Sequence, residues 1–133
     1  MAIYFDACIA IYLVEEHPVY APIVEARLRG CAAGIAYSPL VELECLVLPI
    51  RQQRTELVKR FHGFFALNRR LALNDEIFRM ATELRARHGI KTPDALHLAA
   101  AMHHGCPEFW TNDDRLRKVA GSMAINVLTA AVP

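Results

Sequence analysis

A chain of 133 residues, 54% hydrophobic and 22% charged, has room for one core and none for a separate substrate domain, and its composition is that of an ordinary folded protein. A formal net charge of +1 excludes the strong overall positive field of many nucleic-acid binders, so a polyanion would have to be held by local basic patches. No apolar run reaches membrane-spanning length and the first residues lack the pattern of a signal peptide, which together point to a cytoplasmic protein without membrane contact.

Short apolar runs alternate with stretches of helical period along the chain, the rhythm of an α/β fold. The first run, Ala2–Phe5, reads as a buried strand and leads into a helix over Cys8–Glu15 and another over Ala21–Arg29. A strand at Gly34–Tyr37 precedes helices at Leu40–Val47 and Arg51–Leu67. Leu71–Leu73 reads as the third strand, before helices at Asp75–His88 and Pro93–His104. Glu108–Thr111, a helix at Asp114–Ala120 and Ala124–Leu128 complete the series. Ser38-Pro39, Asn74-Asp75 and Thr92-Pro93 each place a capping side chain before a first turn. Gly30, Gly89 and Gly105 suit left-handed residues beyond helix ends. Residues 1–133 are expected to form one domain with a three-layer α/β/α arrangement around a parallel sheet of about five strands. Cys8, Cys31, Cys45 and Cys106 show no Cys-x-x-Cys spacing and read as free thiols.

Four acids stand at strand-to-helix junctions or in the helix turns that follow: Asp6, Glu44, Asp94 and Asp113. Ligands of parallel α/β sheets bind beyond the carboxyl ends of the strands, so acids recurring there can converge, and a hard divalent cation is the usual remedy for their repulsion. Singly, Asp6 and Asp94 are also good helix-start residues, and capping is a competing reading for both. Asp113 is preferred to Asp114, which can serve as a first-turn acid. Glu42 and Glu44 lie roughly 200° apart around a helix, so only one can face the site. Taking Leu40, Leu43 and Val47 as the buried stripe selects Glu44.

Tyr4-Phe5-Asp6-Ala7-Cys8, Ser38-Pro39-Leu40 through Glu44, Thr92-Pro93-Asp94-Ala95-Leu96-His97-Leu98-Ala99-Ala100-Ala101 and Phe109-Trp110-Thr111-Asn112-Asp113 resemble, in order, the four acidic motifs of PIN-domain ribonucleases. The likeness spans essentially the whole chain and is greatest to the VapC toxins of bacterial toxin–antitoxin pairs. It implies Mg²⁺ or Mn²⁺ in the acidic pocket, endonucleolytic cleavage of RNA, a VapB-like antitoxin partner and a homodimer. Asp6, Asp94 and Asp113 would hold metal directly or through water, Glu44 would bind metal or orient the attacking water, and Thr111 would support the site. Cys8 departs from the hydroxyl or amide residue that the family often carries after the first Asp.

Basic residues offer substrate contacts. Lys91 and Arg87 lead into Asp94, with Arg85 and His88 beside them, and Arg115, Arg117 and Lys118 follow Asp113. Arg51, Arg54, Lys59 and Arg60 lie on a helix, and Arg69 and Arg70 follow it. His97 sits in an apolar helix and is read as packing rather than as a zinc ligand, as are His103 and His104. Phe61, Phe64 and Phe65 could form an exposed ridge for an antitoxin peptide or second subunit. The competing functions are a phosphohydrolase using Asp6 as nucleophile, in which Cys8 stands where a second acid is needed, and a non-catalytic binding module whose acids merely cap helices.

Overall fold

Residues 1–129 are described by the computed structural model. Five strands, β1 (Ala2–Phe5), β2 (Gly34–Tyr37), β3 (Arg69–Arg70), β4 (Phe109–Thr111) and β5 (Ala124–Asn126), form one sheet in the order β3-β2-β1-β4-β5. Every neighbouring pair is parallel, with Tyr4 opposite Ala36 on one side and Phe109 on the other. The helices are α1 (Ala7–Val14), α2 (Tyr20–Arg29), α3 (Pro39–Arg51), α4 (Thr55–Leu67), α5 (Asp75–His88), α6 (Thr92–His103) and α7 (Arg117–Ala120).

This order carries the chain outward from β1 through β2 to β3, then back across β1 to β4 and β5. Parallel connections are right-handed, so α1 to α4 cover one face and α5 to α7 the other, giving three layers. The aromatic contacts agree with that division. Phe5 stacks with Trp110 and with Phe64 of α4, while Tyr4 stacks with Phe109 and abuts His97 of α6. β1 and β4, covered on both faces, are buried throughout and apolar except for Thr111, because alternate side chains enter opposite cores. The direction of winding reverses between β1 and β4, and the carboxyl ends of those two strands border the resulting crevice.

Several boundaries differ from those expected. The third strand is Arg69–Arg70 rather than Leu71–Leu73: Leu71 donates to the Tyr37 carbonyl at 2.7 Å and then buries its side chain. A two-residue, arginine-bearing edge strand resists pairing with other chains. Helix α3 runs on past Val47, through Pro49, to Arg51, and α4 begins only at Thr55, after a turn in which Gln53 takes a positive φ of 55°. Asp114–Leu116 is a 3₁₀ turn before α7, not the start of one continuous helix, and β5 stops at Asn126. Gly89 and Gly105 are left-handed as expected, but Gly30 has φ −83°. Asn74 caps α5 by accepting from the Ile77 amide, whereas the Ser38 side chain makes no cap and Thr92 lies inside α6 behind Lys91.

The apolar stripe expected on α3 is on the wrong side. Leu43 and Val47 are 58% and 45% exposed, and Val41, Cys45 and Pro49 are buried instead. Apolar residues surround most of this helix, so the sheet, not the hydrophobic pattern, selects the inner face. Nor is there an aromatic ridge: Phe61 and Phe65 are buried and Phe64 is half-buried. All four cysteines are free thiols; Cys45 and Cys106 are buried, and burial pushes the Cys8, Cys45 and Cys106 thiols up. Among the described residues no helix is long and apolar enough to cross a membrane.

Candidate functional site

Asp6 is the first residue beyond β1, where its amide still bonds to the Trp110 carbonyl at 2.9 Å, so sheet register sets its position. The side chain does not cap α1, although Asp6 occupies the cap position. Instead Asp6 Oδ2 accepts from Thr111 Oγ1 at 2.9 Å across the β1–β4 crevice. The same hydroxyl accepts the Asp113 amide at 3.2 Å, so Thr111, fully buried at the end of β4, ties the first acid to the last.

Asp94 lies in the first turn of α6, brought near by the packing of that helix over β1 and β4. Burial raises its pKa, and the charges of Asp6 and Asp113 raise it further, with opposing contributions from His97 and Arg115. Repulsion of this kind is electrostatic evidence that Asp6, Asp94 and Asp113 share one locality.

Asp113 behaves in the opposite sense. It caps the 3₁₀ turn by accepting from the Arg115 amide at 2.9 Å, and the Arg115 guanidinium lies across both its oxygens, at 3.0 Å and 2.7 Å. Hydrogen bonding to Arg115 therefore holds the Asp113 carboxyl below the usual range. Asp114 turns away and accepts from Asn126 Nδ2 at 3.2 Å.

The two glutamates of α3 separate as helical geometry requires. With Val41 and Cys45 facing inward, Glu44 and Glu42 occupy opposite flanks of the buried stripe, roughly 60–100° to either side. Glu42 pairs with Arg70 of β3 at 2.5 Å. Glu44 accepts from His97 Nε2 at 2.5 Å, and the same nitrogen is 3.9 Å from Asp6 Oδ1. The expected stripe was wrong, yet Glu44 is the glutamate beside Asp6, because it flanks the true inner face as well. His97 is not plain packing. It is 1% exposed, and its Nδ1 lies 2.7 Å from the Tyr4 hydroxyl, which lies 2.7 Å from Ser38 Oγ. Sequence reasoning missed Tyr4 and Ser38 altogether, since a tyrosine in an apolar strand and a serine before a proline read as core and cap.

A cleft of about 400 Å³ is lined by Asp94, Asp113, His88, Lys91, Arg115 and Lys118, and Asp6 and Glu44 are not part of its wall. Lys91 and Arg115 thus border the acidic locality, whereas Arg87 lies outside the cleft and pairs with Glu83 at 3.6 Å. Three of the other basic groups are held elsewhere: Arg54 by Glu15, Lys59 by Glu56, and Arg60 by Glu16 and the Val14 carbonyl.

The donors of this site are carboxylate oxygens, the ligands of hard divalent cations, and Asp94, raised first by burial, is raised further by the charges of Asp6 and Asp113 that such a cation would offset. In donor type the residues fit Mg²⁺ or Mn²⁺. Among the described residues, no three His, Cys, Asp or Glu side chains stand close enough together to enclose an ion, with Asp113 drawn to Arg115 and Glu44 to His97.

A PIN domain family model matches residues 3–122. No curated protein sequence matches the chain. Among solved structures, a toxin–antitoxin complex from Klebsiella pneumoniae is similar, with 21% identity over 96% of this chain and 98% of that one and a TM-score of 0.76. VapBC2 from Rickettsia felis, bound to a DNA fragment from its promoter, has 17% identity over 94% and 98% and a TM-score of 0.74. The sarcin–ricin loop cleaving toxin VapC20 of Mycobacterium tuberculosis has 17% identity over 90% and 95% and a TM-score of 0.72. At such identities these likenesses establish the fold.

Proposed function

We propose, since this chain belongs to the PIN domain family, that it is a divalent-cation-dependent endoribonuclease cleaving structured RNA, the toxin of a toxin–antitoxin pair. The observation that carries this reading is that Asp6 and Asp113 lie at the carboxyl ends of β1 and β4, joined through the Thr111 hydroxyl, with Asp94 in the first turn of α6 on a cleft with a basic rim. Helix capping accounts for Asp113 only in part and for Asp6 not at all, since the Asp6 side chain caps nothing.

Asp6, Asp94 and Asp113 would hold Mg²⁺ or Mn²⁺, which when bound polarises a phosphoryl oxygen and lowers the pKa of water. Thr111 orients Asp6 by donating to Oδ2, and Oδ1 would be the oxygen to hold the cation. Glu44, tethered through Oε1 to His97, keeps Oε2 available to accept a proton from the attacking water. Lys91, Lys118 and Arg115 would hold the phosphates on either side of the cut, Arg115 exchanging its hold on Asp113 for the substrate. A VapB-like antitoxin and a second copy of the chain are the expected partners. The exposed apolar residues Leu43, Val47 and Ile50, spaced along one side of α3, support an association of that kind.

The test is cleavage of labelled ribosomal, transfer and messenger RNA by purified protein with Mg²⁺, Mn²⁺ or chelator. Cation-dependent internal cuts are expected, lost in Asp6→Ala and Asp94→Ala proteins that remain folded. Full activity in either variant, or in chelator, would overturn the reading.

A further inference from the structure

Ser38, Tyr4 and His97 are 0%, 0% and 1% exposed, and they form one unbroken chain of hydrogen bonds that ends on Glu44. The four residues come from the end of β2, from β1, from α6 and from α3, so the chain crosses the carboxyl edge of the sheet and joins both helical layers. Among the described residues no buried side-chain nitrogen or oxygen lacks a partner, so every buried polar atom of this chain is satisfied. Polar groups buried this deeply are retained only when such networks are complete.

The direction of each bond follows from elementary valence. A carboxylate can only accept, so His97 Nε2 carries the proton it donates to Glu44 Oε1. In a neutral ring Nδ1 is then the acceptor, and the single proton of the Tyr4 hydroxyl must go to it. With its own proton committed, Tyr4 accepts, and Ser38 Oγ–H donates. One protonation pattern therefore satisfies the chain with a neutral imidazole.

We infer that Ser38–Tyr4–His97 is a positioning device for Glu44: the Tyr4 hydroxyl anchors Nδ1 of His97, and the ring, in the Nε2–H tautomer that the carboxylate requires, clamps one Glu44 oxygen and aims the other at the acidic locality. Glu44 is then the water-orienting carboxylate and not a primary cation ligand, since Oε1 is committed 2.5 Å from His97. Without the clamp, Glu44 is a side chain at the rim of α3 with its carboxylate free to rotate into solvent. The inference rests on the nuclease reading for its kinetic consequence, but its tautomer is observable whether or not the protein cuts RNA.

Long-range ¹H–¹⁵N NMR of the imidazoles tests it first. His97 is expected as the Nε2–H tautomer in the wild type; an Nδ1–H or doubly protonated ring in the wild type at neutral pH overturns the inference. The kinetic arm uses Tyr4→Phe, His97→Gln and His97→Ala. Groups that orient an active ligand typically contribute about 10- to 100-fold. That loss is expected in kcat for Tyr4→Phe and His97→Ala, with KM for RNA and Mn²⁺ affinity nearly unchanged. His97→Gln keeps an N–H donor within reach of Glu44 and should recover part of it. Equal loss in Gln and Ala variants, or a loss that appears in Mn²⁺ affinity instead of kcat, refutes positioning. If His97→Ala does not fold, the Tyr4→Phe and Gln variants still decide. Should the wild type show the tautomer but no RNA cleavage, the function fails and the clamp stands.

Discussion

Two aspartates of this site are pushed in opposite directions, and the difference has thermodynamic consequences. Asp94, raised first by burial and then by Asp6 and Asp113, binds its proton more tightly folded than unfolded. Its contribution to stability is full below the unfolded value of about 3.9 and is lost as pH rises through the higher folded value. Asp94→Asn should therefore raise Tm near pH 7 while abolishing cleavage, and the gain should vanish as the pH falls to about 4. Asp113 is lowered by Arg115, so its contribution is present above the unfolded value and is lost as pH falls through the lower folded one. Asp113→Asn should lower Tm at neutral pH, and that deficit should shrink in acid. Thermal melts across a pH series check both signs; parallel curves for the two variants would contradict the charge assignment. The same comparison shows why acids were legible and their partners were not. Asp6 is placed by the strand it ends, a local matter, whereas Arg115 folds back on Asp113 only because a 3₁₀ turn replaces the expected helix start.

Helices illustrate how far a pattern carries. α5 is readable in full, Asp75–His88, because Asn74 caps it by accepting from Ile77 and Gly89 ends it at φ 66°. Both signals act within one turn, so no tertiary information is needed. Asn74→Ala should lower stability by about 1 kcal/mol. Gly89→Ala should lower it by a similar amount, about 1 kcal/mol, since the added Cβ has open space around it and only the left-handed backbone resists. Denaturant titration of both variants measures this, with unchanged m-values expected if neither alters the fold. α3 is the counter-example. Its residues are apolar nearly all round, so period alone cannot tell the stripe Leu40–Leu43–Val47 from the buried Val41–Cys45–Pro49. β3 fails for a related reason: its two arginines look like loop, and only hydrogen bonding to β2 makes them a strand.

Across the whole fold, cation and RNA should be coupled through the same cleft. A cation that relieves repulsion among Asp6, Asp94 and Asp113 stabilises the folded state in proportion to its occupancy. Millimolar Mn²⁺ should therefore raise Tm of the wild type and leave Asp94→Ala nearly unaffected. RNA affinity should fall with salt, and Lys91→Ala with Lys118→Ala should reduce the slope of log K against log salt by about 0.7 for each phosphate left without its cationic partner. An unchanged slope would remove those lysines from the substrate path. The α/β alternation, the three-layer class and the acids at strand ends were all legible in the chain, because strand burial and the residue that follows a strand are dictated by near neighbours. Packing in three dimensions was needed to settle which flank of α3 faces Asp6, that Arg87 stands outside the cleft, and that a tyrosine, a histidine and a glutamate meet. Tyr4 and His97 lie 93 residues apart and His97 and Glu44 53 apart, and only the winding reversal between β1 and β4 brings such separations to hydrogen-bond distance.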